Sequence, residues 1–227
     1  MYLFLKRILD IVLALTVLIL ASPLLIPVVI LLKLTGEGYI FYLQERVGYK
    51  NKLFPIYKFA TMLKDSPNIG TGDITVKNDP RVTPMGPFLR KSKLNELPQI
   101  INVLKGDMSI VGPRPLMPVS FKMYKEEHAG KVYNSKPGIT GIGSLIFRDE
   151  ETMITKAMDN GIEGRVFYQN EIYPYKGKLE MWYQENKSIY TDVMIIFLTA
   201  WSILFSKTTL PFKIFRDLPE KPASLKV

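Results

Sequence analysis

Residues 11–32, IVLALTVLILASPLLIPVVILL, carry no charge. A helix of that length rises roughly 33 Å at about 1.5 Å per residue, close to the hydrocarbon thickness of a bilayer. The stretch therefore predicts a membrane-associated helix with the rest of the fold arranged around it. Ser22-Pro23 sits mid-run with Pro27 one turn later, and proline removes a backbone donor, so the helix is expected to kink or break near Ser22. Lys6 and Arg7 flank the start and Lys33 the end. The positive-inside tendency would keep both ends on the cytoplasmic face, which suits a re-entrant helix that enters one leaflet and returns. A Pro-kinked spanning helix competes with it on these residues alone. A cleaved signal peptide fits less well, because the apolar run is long and no small-x-small cleavage site follows.

The whole chain has 227 residues, 47% hydrophobic and 22% charged, with net charge +9. That length suits one domain with appendages, and the mean hydropathy of +0.08 is high for a protein that never meets lipid. Cysteine is absent, which excludes disulfides, a thiol nucleophile and thiolate metal sites. His128 is the single histidine, so a histidine-rich metal site is excluded too, and any catalysis falls to carboxylates, hydroxyls and cations. The positive balance favours an anionic partner: nucleic acid, lipid head groups or phosphorylated small molecules.

Residues 38–60 read as two short extended segments around a turn at Gly48. Residues 65–87, dense in Gly, Pro, Asn, Asp and Thr, read as a loop. Leu94, Leu97, Ile101 and Leu104 share a helical face, predicting a helix over 89–104 with Pro98 at a start or kink. Rigid turns follow at Gly112-Pro113-Arg114-Pro115 and over 136–144, with an amphipathic segment between them that leaves His128 exposed. Residues 150–183 read as mostly helical. Val193 to Phe205, containing Trp201 and followed by Lys207, Lys213 and Arg216, is too short to span; it reads as an interfacial helix or as a buried core helix. Arg114 beside a rigid Gly-Pro turn suits diphosphate binding, since a guanidinium held at a fixed angle grips two phosphate oxygens, although a purely structural arginine fits the same position.

Several motifs occur in one order: Lys6-Arg7 with Asp10 before the Ser-Pro segment, Gln44-Glu45-Arg46-Val47-Gly48, Ile56-Tyr57-Lys58-Phe59, Arg90-Lys91 and Glu96-Leu97-Pro98-Gln99. Asn102 to Ser109, Gly112-Pro113-Arg114-Pro115 and Pro137-Gly138-Ile139-Thr140-Gly141 continue the series. Together they resemble the bacterial sugar transferases, the monotopic phosphoglycosyl transferases. The resemblance implies an α/β, mainly helical fold: a re-entrant membrane helix (1–36), a small cytoplasmic catalytic domain (37–207) including an interfacial helix, and a basic tail (208–227). It implies transfer of a sugar phosphate from a nucleoside diphosphate sugar, usually a uridine one, to polyprenol phosphate at the cytoplasmic face of the bacterial inner membrane. Mg²⁺ is the implied cofactor, membrane lipid a partner, and exopolysaccharide or lipopolysaccharide assembly the setting; nucleic acid is not expected.

The resemblance places catalysis at Asn95-Glu96, with Glu96 as metal ligand, and substrate binding at Lys58, Arg90, Arg114 and Glu180, where a solvated helix charge is the competing reading for Glu180. Three positions depart from the family pattern. Asn95 stands where an aspartate nucleophile is usual, Ala60 where Arg or Lys is usual, and Ile142-Gly143-Ser144 where Trp-Ala-Gln is usual. A neutral amide cannot act as a carboxylate nucleophile. Two expectations follow: a transferase in which Glu96 or another carboxylate activates or replaces the nucleophile, or the two substrates react directly with Glu96 holding Mg²⁺; and a catalytically silent relative that binds lipid phosphate or a partner enzyme.

Overall fold

The computed structural model describes residues 1–69, 79–124, 126–205 and 208–225. The middle of the expected loop, residues 70–78, and Lys207 lie outside the described residues. The chain divides into a first unit, Met1–Ile8 with Arg46–Phe54 and Asp107–Val227, and a second unit, Leu9–Glu45 with Pro55–Gly106.

Helix α1 runs Tyr2–Leu34 with Pro23 and Pro27 inside it. Of the kink or break expected near Ser22, the break is corrected: helical structure continues through Ser22-Pro23. Pro23 leaves the carbonyl of Ile19, four residues back, without its usual donor, and the Ser22 hydroxyl donates to that oxygen at 2.7 Å. Thr16 and Thr35 hydroxyls donate to Val12 and Leu31 in the same way. Gly36, at φ +58°, then turns the chain out of the helix. By length and composition α1 could cross a membrane, and only 11% of its most apolar window is buried.

In the second unit, Val28 and Leu32 of α1 pack with Phe59 and Leu89. Strands β1 (Phe41–Val47) and β2 (Leu53–Phe59) pair as expected, their tips belonging to the first unit. Aromatic residues fit a pleated, half-buried surface, and Phe41 stacks on Phe59 at 5.8 Å. The predicted helix over 89–104 is three pieces instead: α2 (Gly86–Lys91), a 3-10 turn at Leu94–Glu96 and α3 (Gln99–Lys105). Lys93 adopts a left-handed φ of 59° and Pro98 lacks an N–H, so the shared apolar face does not make one helix. Asn102, fully buried in α3, accepts from Tyr57 N at 2.9 Å and donates to Pro55 O at 2.8 Å, which fixes β2.

The first unit holds β3 (Ser109–Val111), the short helices α4 (Pro118–Phe121) and α5 (Glu126–Ala129), and β4 (Gly138–Thr140), parallel to β3. Then come α6 (Ile142–Ile146), α7 (Glu150–Asp159) and α8 (Gly164–Phe167), a π turn at Tyr168–Ile172, α9 (Tyr173–Asn186), α10 (Ile189–Leu204) and α11 (Leu210–Ile214). Its core gathers Ile142, Tyr175, Leu179, Tyr183, Ile195 and Leu198. Truncating a leucine such as Leu179 to alanine would cost about 2–5 kcal/mol. The basic C-terminal segment is tied into this core: Phe215, Leu218 and Leu225 are buried, and Trp182 Nε1 donates to Asp217 at 2.9 Å.

One side chain differs from expectation here. His128 is buried, because Gly177 of α9 leaves it a slot; a β-carbon there would lie 2.5 Å from Nδ1. On α10, Ile195 and Leu198 face the core while Val193, Phe197, Trp201 and Leu204 are exposed, so the helix is a core element with an apolar outer face.

Candidate functional site

The Arg114 turn is held from every side by groups of the first unit. Gly112 packs against the opposite turn so closely that a β-carbon would lie 2.3 Å from Lys136 O, and one on Gly141 would lie 2.1 Å from Gly112 O. Only glycine allows that approach. Tyr133 Oη donates to Arg114 O at 2.7 Å and accepts from Leu116 N at 2.9 Å. Leu116 O accepts from Val47 N at 2.8 Å, and Arg46 donates to Pro115 O at 3.3 Å. With Pro113 and Pro115 restricting φ as well, the backbone is set before any ligand arrives and the Arg114 residue is exposed. That is a ready grip for an anion.

Glu180, on α9, is buried rather than solvated. It accepts a hydrogen bond from the Gly143 amide, while Oε2 has no hydrogen-bond partner among the described residues. Burial pushes its carboxyl up to about 7, against the opposing pull of Lys176 and that amide. A β-carbon on Gly143 would lie 2.4 Å from Oε1, so the glycine in this departure from the family pattern makes room for the carboxyl. One turn away, Lys176 pairs with Glu150, donates to Tyr168 Oη at 2.9 Å and lies 5.1 Å from the Phe147 ring centroid. Burial lowers the Lys176 pKa, with Arg114 adding to the effect. Sequence reasoning missed this cluster; a lysine among aromatics with a glutamate in the preceding helix was the available signal.

The second unit carries Lys58, Arg90, Asn95 and Glu96, whereas Arg114 and Glu180 belong to the first. Lys58 Nζ donates to Gln44 Oε1 at 3.3 Å, across the hairpin. Arg90 Nε donates to Thr61 Oγ1 at 3.0 Å. Burial lowers the Arg90 pKa, opposed by Asp79, with a smaller lowering from Arg81. Asn95 and Glu96 form the 3-10 turn behind left-handed Lys93, a conformation that costs a non-glycine residue about 1 kcal/mol or more. Asn95 Oδ1 is buried and has no hydrogen-bond partner among the described residues.

Among the described residues, no cluster of three or more acidic or histidine side chains forms a metal cage. Magnesium does not need one, since it is commonly held by one or two protein oxygens, substrate phosphates and water. The Glu96 carboxylate and the orphaned Asn95 amide oxygen are hard donors of the right kind, so the residues present fit the ion.

Comparison with known proteins gives these positions a context. The chain is 36% identical over 216 residues to the undecaprenyl-phosphate galactose phosphotransferase of Salmonella typhimurium, a match covering 88% of this chain and 40% of that protein. It is 37% identical over 205 residues to the UDP-glucose:undecaprenyl-phosphate glucose-1-phosphate transferase of Escherichia coli, covering 89% and 41%. The chain thus spans about two-fifths of the length of these relatives. The exopolysaccharide production protein ExoY of Rhizobium meliloti is nearer in size, 30% identical over 217 residues, with 89% of this chain and 86% of that protein covered. The profile of the bacterial sugar transferases matches residues 1–206, and the chain belongs to that family.

Proposed function

We propose that this chain transfers a sugar phosphate from a uridine diphosphate sugar to polyprenol phosphate, at the start of exopolysaccharide or lipopolysaccharide assembly. The single observation that carries the reading is the match across nearly the whole chain to relatives whose names state that chemistry. The retained Lys58, Arg90, Glu96 and Arg114 support it, since a silent relative has less need of a phosphate-binding set.

In the reaction an oxygen of the lipid phosphate bonds to the sugar-bearing phosphorus, and the bridging P–O bond breaks to release uridine monophosphate. Arg114, on its fixed turn, grips diphosphate oxygens, and Lys58 and Arg90 offset charge on the phosphates. Glu96 and the Asn95 oxygen would hold Mg²⁺, which supplies Lewis-acid stabilisation of developing charge when bound. Because Asn95 is a neutral amide, the two substrates react directly, without an aspartyl intermediate. Glu180 stays buried and supports the substrate-binding turn through Gly143.

The apolar face of α10 and the long α1 support attachment at the cytoplasmic face of the inner membrane. In this reading α1 is kinked at Pro23 and re-entrant, with both of its ends on the cytoplasmic side. Cysteines replacing Leu3 and Leu34 are expected to react with an impermeant reagent only from the cytoplasm; labelling of either from outside would mean a spanning helix. The transferase reading is tested by incubating purified protein with Mg²⁺, polyprenol phosphate and a panel of uridine diphosphate sugars. Lipid-dependent release of uridine monophosphate is expected with at least one donor. No release with any donor from wild type, alongside activity of Asn95→Asp, would identify a silent relative.

A further inference from the structure

Lys6 and Asp192 are charges set into two apolar stretches, and the first unit joins them in one buried pair. Lys6 Nζ lies 2.7 Å from Asp192 Oδ2, with side chains 9% and 1% exposed. The same ammonium donates to Val111 O at 2.9 Å and to Tyr183 Oη at 3.5 Å, giving each of its three N–H donors an acceptor. Asp192 accepts in turn from Tyr183 Oη at 2.8 Å and Tyr2 Oη at 3.0 Å. It stands in the first turn of α10, where the helix dipole favours a carboxylate.

Apolar side chains of similar shape would hold these elements together about as well, because burying two charges is costly. Adhesion alone therefore leaves the ammonium unexplained. What a cation adds is a strong donor to the carbonyl of Val111, the last residue of β3, three positions before Arg114. Tyr133 holds the far side of the same turn through Arg114 O and Leu116 N.

We propose that Lys6 is a positioning residue, a clamp from the first turns of α1 that fixes the strand end from which Arg114 projects. The consequence for substrate rests on the reading of Arg114 as a phosphate grip. Seating of residues 1–8, the start of α1, and readiness of the phosphate turn then become one structural event within the first unit.

Lys6→Met alone leaves Asp192 buried without its cation and can unfold the protein. The deciding variant is Lys6→Met/Asp192→Asn, which removes both charges and keeps one amide oxygen to accept from Tyr183, with the Tyr2 hydroxyl left at the protein surface end of the pair to rotate away from the new NH2 group. Full-length protein in nanodiscs is compared with wild type by melting temperature, by hydrogen exchange of the Gly112, Arg114 and Leu116 amides, and by calorimetric titration with uridine diphosphate. The expected result is a folded variant with faster exchange at those three amides and affinity about tenfold weaker, as displacement of a binding group produces. Unchanged exchange and unchanged affinity in the folded variant would overturn the proposal and leave the pair a structural tie. Should wild type itself not bind uridine diphosphate, the reading of Arg114 fails, while exchange at the three amides still decides the role of Lys6.

Discussion

Two short turns carry the chemistry proposed for this chain, and they are built in opposite ways. The Gly112–Leu116 turn is over-determined, with glycine contacts too close for any other residue, two prolines and a tyrosine bridging two backbone groups. The Lys93–Glu96 turn is the reverse, holding a left-handed lysine, a single 3-10 turn and a buried amide oxygen that finds no hydrogen-bond partner among the described residues. A rigid turn suits recognition of a feature common to every donor, the diphosphate, because a backbone fixed in advance loses no further entropy on binding. An unsatisfied oxygen suits a position whose partner arrives with the substrate, since a buried acceptor left bare costs about 1–3 kcal/mol until it is met.

The contrast can be broken most sharply at Glu96. Glu96→Gln should lower turnover by about a hundredfold or more through loss of the charged ligand, while leaving the melting temperature nearly unchanged. A collapse of stability instead would place Glu96 among structural groups. On the rigid side, Gly112→Ala forces a β-carbon to within 2.3 Å of a backbone oxygen. Loss of stability on the order of 3 kcal/mol is expected, seen as a melting temperature lower by about 5–10 °C. Arg114→Lys keeps the charge and loses the two-pronged geometry, so affinity for uridine diphosphate should fall about tenfold without a change in folding; equal affinity would make Arg114 structural.

The last test concerns Glu180. Its carboxyl is raised from 4.5 to about 7 in the folded protein, so the native state holds the proton more tightly than the unfolded chain. That contribution to stability is full below pH 4.5 and is lost as pH rises through about 7. Wild type should accordingly lose stability across that window relative to Glu180→Gln, and parallel pH profiles from thermal melts would refute it.

Much of this was legible in the residues. Uncharged residues 11–32 mark the long helix, aromatic alternation marks the β1–β2 hairpin, and the order of motifs marks the family. What was not legible has physical causes. Ser22-Pro23 signals a break, yet whether a hydroxyl takes over the stranded carbonyl depends on its rotamer, and here it does. The helical spacing of Leu94, Leu97, Ile101 and Leu104 is also satisfied by short helices joined through a left-handed lysine, so periodicity overstates continuity. Lys6 reads as a flank for lipid head groups but is buried against Asp192, a partner 186 residues away. Long-range pairing of that kind leaves only an indirect trace, a charge within each of two apolar segments.

The central claim is that Asn95 leaves transfer without an aspartyl intermediate. Its most direct test follows uridine monophosphate release and intact protein mass with Mg²⁺ and a turned-over donor, first without polyprenol phosphate and then with it. Wild type should release nothing and gain no mass until the lipid phosphate is added, whereas Asn95→Asp should give a stoichiometric burst and a phosphosugar adduct from donor alone. A burst with an adduct in wild type would contradict the account and place the nucleophile on another side chain.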